Sequence, residues 1–215
     1  RQFPTMLSAV LVSLMLYAAG LLLNDYVDRD RDREERPSRP IPSGRVYAAY
    51  VLRMGVLFLA GAAVLSAMIS AGLRDVQVMT VTLVLIGLII LYNTAARRVP
   101  VLGFLTMGAC RGCNILPGAG VGGSLLAVPV LWAAAIETAY ILMVSSLAVR
   151  ETESPVVTPD VIGRLIRALI LLQIAFIFVF FSTVPASAVF LYAIVFVLGI
   201  LFFVSRRMAV KFYGS

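Results

Sequence analysis

Long apolar stretches alternate with short polar ones along this chain, and the long stretches are apolar on every helical face rather than along one stripe. Runs able to cross a bilayer of about 30 Å, at roughly 20 residues each, fall at about 4–23, 46–70, 76–93, 101–122, 127–149, 163–182 and 186–205. A helix in water keeps a polar face, whereas one in lipid is apolar all round and satisfies its backbone groups internally. The pattern predicts an all-α, polytopic transmembrane helical bundle with seven visible spans. The first run lacks the basic flank and small-residue cleavage site of a signal peptide and passes straight into an acidic segment, so it reads as a retained span. The chain opens at Arg1, three residues before an apolar helix, and closes on a basic helix end with Arg206, Arg207 and Lys211. Further helices are therefore expected at either end.

Composition agrees with lipid as the solvent: 61% of residues are hydrophobic and 13% charged, with a mean hydropathy of +0.99. A net charge of +7 in a soluble protein would raise the question of nucleic acid; here no nucleic-acid partner is expected, because the charge reads as topology. Threaded through seven spans, the arginines from Arg29 to Arg45, then Arg97 and Arg98, then Arg150, Arg164 and Arg167, then the C-terminal basic group fall on one side. Arg74 and Arg1 are left on the other. By the positive-inside rule the polar loops at about 24–45, 94–100 and 150–162 are expected to be cytoplasmic, within a single transmembrane domain covering 1–215. That makes an integral membrane protein, of the inner membrane if the source is bacterial. Two cysteines and no histidine leave little for zinc, iron or disulfide chemistry. A metal here would be held by oxygen.

The segment LLLNDYVDRDRDREERPSRPIPSGRV, from Leu21 to Val46, is the most polar part of the chain. At helical spacing Asn24, Asp28 and Asp32 share a face, Asp25 joins them beside Asp28, and Asp30 points away. Three carboxylates and an amide converging at a helix end repel one another unless a cation sits among them. Mg²⁺ takes oxygen ligands and is typically held by one or two carboxylates together with substrate phosphate oxygens, so such a site suits a diphosphate. The plainer alternative is a solvated helix end whose Asp and Arg side chains pair at the surface for little energy. Beyond it, three prolines and a glycine in ERPSRPIPSGR stop the helix and turn the chain back, bringing Arg36, Arg39 and Arg45 with them. These suit phosphate oxygens or anionic lipid head groups, and the loop reads as a lid.

Asn24, Asp25, Asp28 and Asp32 match the pattern NDxxDxxxD, and Arg39-Pro40-Ile41-Pro42-Ser43-Gly44 matches a following loop of the form RPLxSG. The sequence in this way resembles the UbiA superfamily of intramembrane prenyltransferases. The resemblance implies a bundle of about nine helices with this motif at the cytoplasmic end of the second, so that the chain would run from helix two to near helix eight. It implies that Tyr92, Arg97 and Arg98, in YNTAARRVP, contact the donor diphosphate, with Arg39 and Arg150 helping. It implies Mg²⁺ held by Asn24, Asp25, Asp28 and Asp32 as the catalytic group. The family's second aspartate-rich motif is replaced by VRETESPVVTPD, where Glu151 and Glu153 are the expected metal ligands, Asp160 lies beyond two prolines, and Arg150 is an alternative source of positive charge.

The activity implied is Mg²⁺-dependent transfer of an isoprenyl or polyprenyl group from its diphosphate to a small acceptor within the membrane, releasing diphosphate. The acceptor expected is of the aromatic or quinone-precursor type, with a sugar-like or alicyclic alcohol as the alternative. The partners are then isoprenyl diphosphate, the acceptor and membrane lipid. A reading from another class is a non-catalytic transporter or scaffold whose acidic loop binds a cation.

Arg111 and Glu137 stand deep in apolar runs, roughly 15–18 Å from the expected cytoplasmic ends at 1.5 Å per residue. Charges at such depth mark a partner or a pathway; a buried Arg111–Glu137 pair, or contact with the acceptor, is expected. CRGCN, at Cys110 to Asn114, reads as packing rather than redox chemistry. Gly103, Gly108, Gly112, Gly118 and Gly120 suit close helix approach, and Pro117 invites a break that widens a cavity. Tyr17, Tyr92, Phe104, Trp132 and Tyr140 are expected as core or interface aromatics, one or two of them facing a cation.

Overall fold

The computed structural model describes residues 2–149, 158–179 and 188–213, and among them every regular element is helical. In chain order these are α1 (Gln2–Glu35), α2 (Ala48–Leu73), α3 (Gln77–Thr94), a 3₁₀ turn at Ala96–Arg98, α4 (Pro100–Cys113), α5 (Leu116–Val121), α6 (Val128–Val149), α7 (Pro159–Val179) and α8 (Ala188–Tyr213). Among the described residues, five helices, α1, α2, α3, α6 and α7, are long and apolar enough to cross a membrane. The all-helical, membrane-spanning class follows the hydrophobic pattern directly.

The run at 101–122 is a correction: it is two helices rather than one. Pro117 falls in the first turn of α5, where its missing N–H costs nothing but where it cannot continue a preceding helix. Upstream, the N–H groups of Asn114 and Ile115 donate to the carbonyls of Arg111 and Gly112 at 3.1 and 3.3 Å, a tightened last turn that closes α4 before the proline.

The helices divide into two compact units, Arg1–Thr138 and Ala139–Ser215. In the first, α1 packs along α2, and α3 packs against α1, α2, α4 and α5. Val12, Leu16, Ala19 and Leu23 of α1 form a seam at helical spacing that meets Leu59, Ala62 and Ile69 of α2 and Val78, Leu85 and Ile89 of α3. The opposite face of α1, with Leu7, Val10 and Leu14, is exposed, as suits a surface whose solvent is lipid. Close approach depends on small residues: a Cβ on Gly112 would overlap the Thr138 hydroxyl and the Ala134 carbonyl, and one on Gly108 would stand 2.8 Å from the Thr138 carbonyl oxygen. In the second unit α7 packs against α8, and the Tyr140 hydroxyl donates to the Leu165 carbonyl at 2.8 Å.

Candidate active site

The polar segment after Leu23 is not a loop from its start. α1 continues as helix through Glu35, about 17 Å beyond Asn24 at 1.5 Å per residue, and so sets its acidic side chains in fixed register. On one face Asn24 Nδ2 donates to Asp28 Oδ2 at 2.9 Å, and Arg97 donates to the other oxygen of the same carboxylate. One turn on, Arg39 Nη1 donates to Asp32 Oδ2 at 2.9 Å and to Asp25 Oδ1 at 3.3 Å. Asp32 is buried. The opposite face behaves as a solvated helix end: Asp30 meets Arg29 and Arg33 at 3.5 Å, and Arg31 meets Glu35 at 3.0 Å, with Asp30, Arg31, Arg33 and Glu35 all exposed. The solvated-end reading of the acidic segment thus describes this opposite face.

Arg39 reaches its position because the chain after α1 folds into successive tight turns. The N–H of Ser43 donates to the Arg39 carbonyl and that of Gly44 to Ile41, each at 3.0 Å, and Val46 closes onto Pro40 at 3.1 Å. Gly44 sits at φ +75°, a conformation that costs a side-chain-bearing residue and not glycine. Arg45 braces the same turn through Ser43 Oγ, at 3.1 Å, and the Ser38 carbonyl, while Arg36 is exposed. Of the three loop arginines, Arg39 alone reaches the acidic face.

Arg97 is brought to Asp28 by the 3₁₀ turn that follows α3. Its Nη2 bonds Asp28, and its Nη1 is buried with no partner among the described residues. Arg98, on the same turn, is exposed. Three carboxylates, Asp25, Asp28 and Asp32, therefore share two guanidinium groups, leaving negative charge in excess and one guanidinium N–H unsatisfied. Among the described residues no three acidic, cysteine or histidine side chains are clustered to hold a metal ion; the carboxylates are spread between Arg39 and Arg97. The donor chemistry nonetheless fits a hard divalent cation, since every polar atom on this face of α1 is an oxygen or the amide of Asn24.

Behind the acidic face lies a cavity of about 170 Å³ lined by α1, α3 and α4. Asn24 and Tyr92 belong to its wall, with apolar Leu16, Leu21, Leu85 and Ile89 between them and Arg111, Tyr17 and Asn114. Arg111 lies over the Tyr17 ring at 4.3 Å from the centroid, within cation–π range; Glu137 is buried on α6. Cys110 lines the cavity and Cys113 follows it, both as free thiols. Asn93 and Asn114 were not singled out from the sequence. The sequence signal for Asn93 is an amide at the end of an apolar run, one residue after Tyr92; the structure buries it at 5% exposure. Arg150, Glu151 and Glu153 lie outside the described residues. Asp160 opens α7 and pairs with Arg164 at 3.1 Å, both exposed.

With the geometry in place, comparison with known proteins gives it a context. The model of the UbiA prenyltransferase family matches residues 2–212. The chain belongs to this family. Among curated proteins it is similar to the digeranylgeranylglyceryl phosphate synthase of Methanothrix thermoacetophila, 31% identical over 141 residues that cover 65% of this chain and 47% of the relative. The enzyme of the same name from Natronomonas pharaonis is 34% identical over 134 residues, 61% of this chain and 46% of the relative. That from Methanosarcina mazei is 37% identical over 113 residues, 53% and 37% respectively. The chain spans just under half the length of the first of these relatives. No solved structure matches it.

Proposed function

We propose that this UbiA family member transfers an isoprenyl group from its diphosphate to a small acceptor alcohol within the membrane, releasing diphosphate. The observation that carries the reading is the pairing of an acidic helix face, Asn24, Asp25, Asp28 and Asp32, with Arg39 and Arg97 at one end of an apolar cavity. A charged leaving group needs the first and a long hydrocarbon tail needs the second. Membership of a prenyltransferase family supports it over a transporter or scaffold.

In this reading the carbon–oxygen bond of the donor breaks with its electron pair leaving on the diphosphate. The allylic carbon bonds the acceptor oxygen, and the acceptor proton is lost. Arg97, with one N–H free, and Arg39 stabilise the charge that grows on the leaving oxygens, and in a site poor in water such donors count for more than at the surface. Leu16, Leu85 and Ile89 exclude water from the developing cation, and Tyr92 offers it a ring face. Asn24, Asp25, Asp28 and Asp32 would hold Mg²⁺, whose contribution when bound is to neutralise the diphosphate. Glu151 and Glu153 are the proposed ligands of a second ion, and the site is assigned to the cytoplasmic side.

The sequence alone favoured aromatic or quinone-precursor acceptors; the relatives' names shift the proposal to an alcohol. The test is to incubate the purified protein with Mg²⁺, a radiolabelled isoprenyl diphosphate, and either a monoalkylglyceryl phosphate or an aromatic acid, and to follow product mass and diphosphate release. Ether formation supports the proposal. Prenylation of the aromatic acid alone overturns the acceptor class, and no transfer to either overturns the activity.

A further inference from the structure

The arginines at the end of α1 are paired with carboxylates, and those of the stretch that follows, with one exception, are not. From 36 to 73 the chain carries Arg36, Arg39, Arg45 and Arg53 and no acidic residue. Arg39 turns back to Asp25 and Asp32, whereas Arg36, Arg45 and Arg53 are exposed and form no ion pair among the described residues. Arg53 stands on the outer face of α2. Val51, Gly55, Leu59 and Ala62 are buried on the inner face, and at helical spacing on the other side Tyr50, Arg53, Leu57, Val64 and Met68 are all exposed. Residues 54–73 hold no charge and alone reach across about 30 Å of hydrocarbon at 1.5 Å per residue. That leaves Tyr47, Tyr50 and Arg53 for the head-group layer, where aromatic rings and cations anchor helices. None of the three side chains has a hydrogen-bond partner among the described residues, and none lines the cavity behind the acidic face.

We propose that Tyr47, Tyr50 and Arg53 bind the head group of an anionic phospholipid whose acyl chains lie along Leu57, Val64 and Met68. The Arg53 guanidinium offers a fork of N–H donors to the phosphate oxygens, and the Tyr50 hydroxyl donates to a further oxygen. Arg36 and Arg45 add positive field on the polar side. A zwitterionic lipid carries the same phosphate together with a cation, and this segment has no carboxylate to receive that cation. A soluble phosphate lacks the chains that the apolar stripe below Arg53 would hold. Charge thus selects an anionic head group, and the stripe selects a lipid.

Lipid retention can be read without turnover. Native mass spectrometry of the purified protein in a neutral detergent follows the one-lipid species across titrations of phosphatidylglycerol and of phosphatidylcholine with identical chains. Phosphatidylglycerol is expected to reach half-occupancy at a concentration about fivefold or more lower, the preference that even one arginine near an anionic head group confers. Arg53→Gln should lower that preference by about fivefold. Arg31→Gln removes the same charge from an exposed arginine already paired with Glu35 at 3.0 Å, and should leave the preference unchanged. Equal retention of the two lipids by the parent protein overturns the proposal whatever the variants do. An unchanged preference in Arg53→Gln also overturns it, as does an equal loss in Arg31→Gln, which would reduce the effect to net charge. Glycerol phosphate, a head group without chains, should not displace the lipid at matched concentration; displacement would mean a site for a soluble anion and defeat the proposal. A two-chain species that excludes lipid and dissociates in Arg53→Gln would show this face covered by a second copy, with the same consequence.

Discussion

Asp28 has both carboxylate oxygens committed, one to Arg97 and one to Asn24, whereas Asp30, two residues away, is itself exposed and meets Arg29 and Arg33 only at 3.5 Å. Asp28→Asn should reduce transfer by about a hundredfold or more, the range for losing one preorganised electrostatic group, with the helix content by circular dichroism unchanged. Asp30→Asn should stay within about twofold, since exposed pairs contribute little. Equal losses would remove the distinction between the two faces. Arg39→Gln should weaken isoprenyl diphosphate binding, because it removes the cation whose Nη1 meets both Asp25 and Asp32. The acidic face was legible in the spacing, because a helix fixes i, i+4 neighbours once it is known to continue. Which loop arginine meets it was not, because that depends on how the turns around Gly44 close. The stacking of Arg111 on Tyr17 was legible only as a class, since neither side chain's direction across two helices is written in either segment.

Among the helices, α4 carries the tightest constraint. Gly112→Ala places a methyl group against the Thr138 hydroxyl and the Ala134 carbonyl, atoms already bonded to each other at 2.8 Å, and overpacking of this kind costs about 1–3 kcal/mol. Gly118→Ala meets nothing within 4 Å and should be neutral or slightly stabilising, as alanine is the better helix former. Thermal denaturation in detergent separates the two; a Gly112→Ala protein as stable as its parent would contradict the packing described. The glycine spacing announced close approach and Pro117 announced a break, but the run 101–122 still reads as one span, because hydropathy averages over a two-residue interruption. Only the hydrogen bonds of Asn114 and Ile115 show that α4 has already ended. That early end leaves Asn114 at a helix terminus among the residues that line the cavity.

For the whole molecule, the class was the most legible feature: seven apolar runs require helices because lipid offers backbone groups no partner. Sidedness follows from the arginines alone and is a separate prediction. In a cysteine-free background, Ser38→Cys in the turn after α1 should resist a membrane-impermeant thiol reagent in intact cells, and Ser124→Cys, between α5 and α6, should react. The reverse pattern would place the acidic face outside. The most direct test of the central claim, that the acidic face of α1 with Arg39 and Arg97 is the donor site of a prenyltransferase, is the equilibrium binding of a radiolabelled isoprenyl diphosphate to the purified protein across a Mg²⁺ titration. The account predicts saturable binding that requires Mg²⁺, is lost in Asp28→Asn and persists in Asp30→Asn. Binding indifferent to Mg²⁺ and to Asp28 would contradict it.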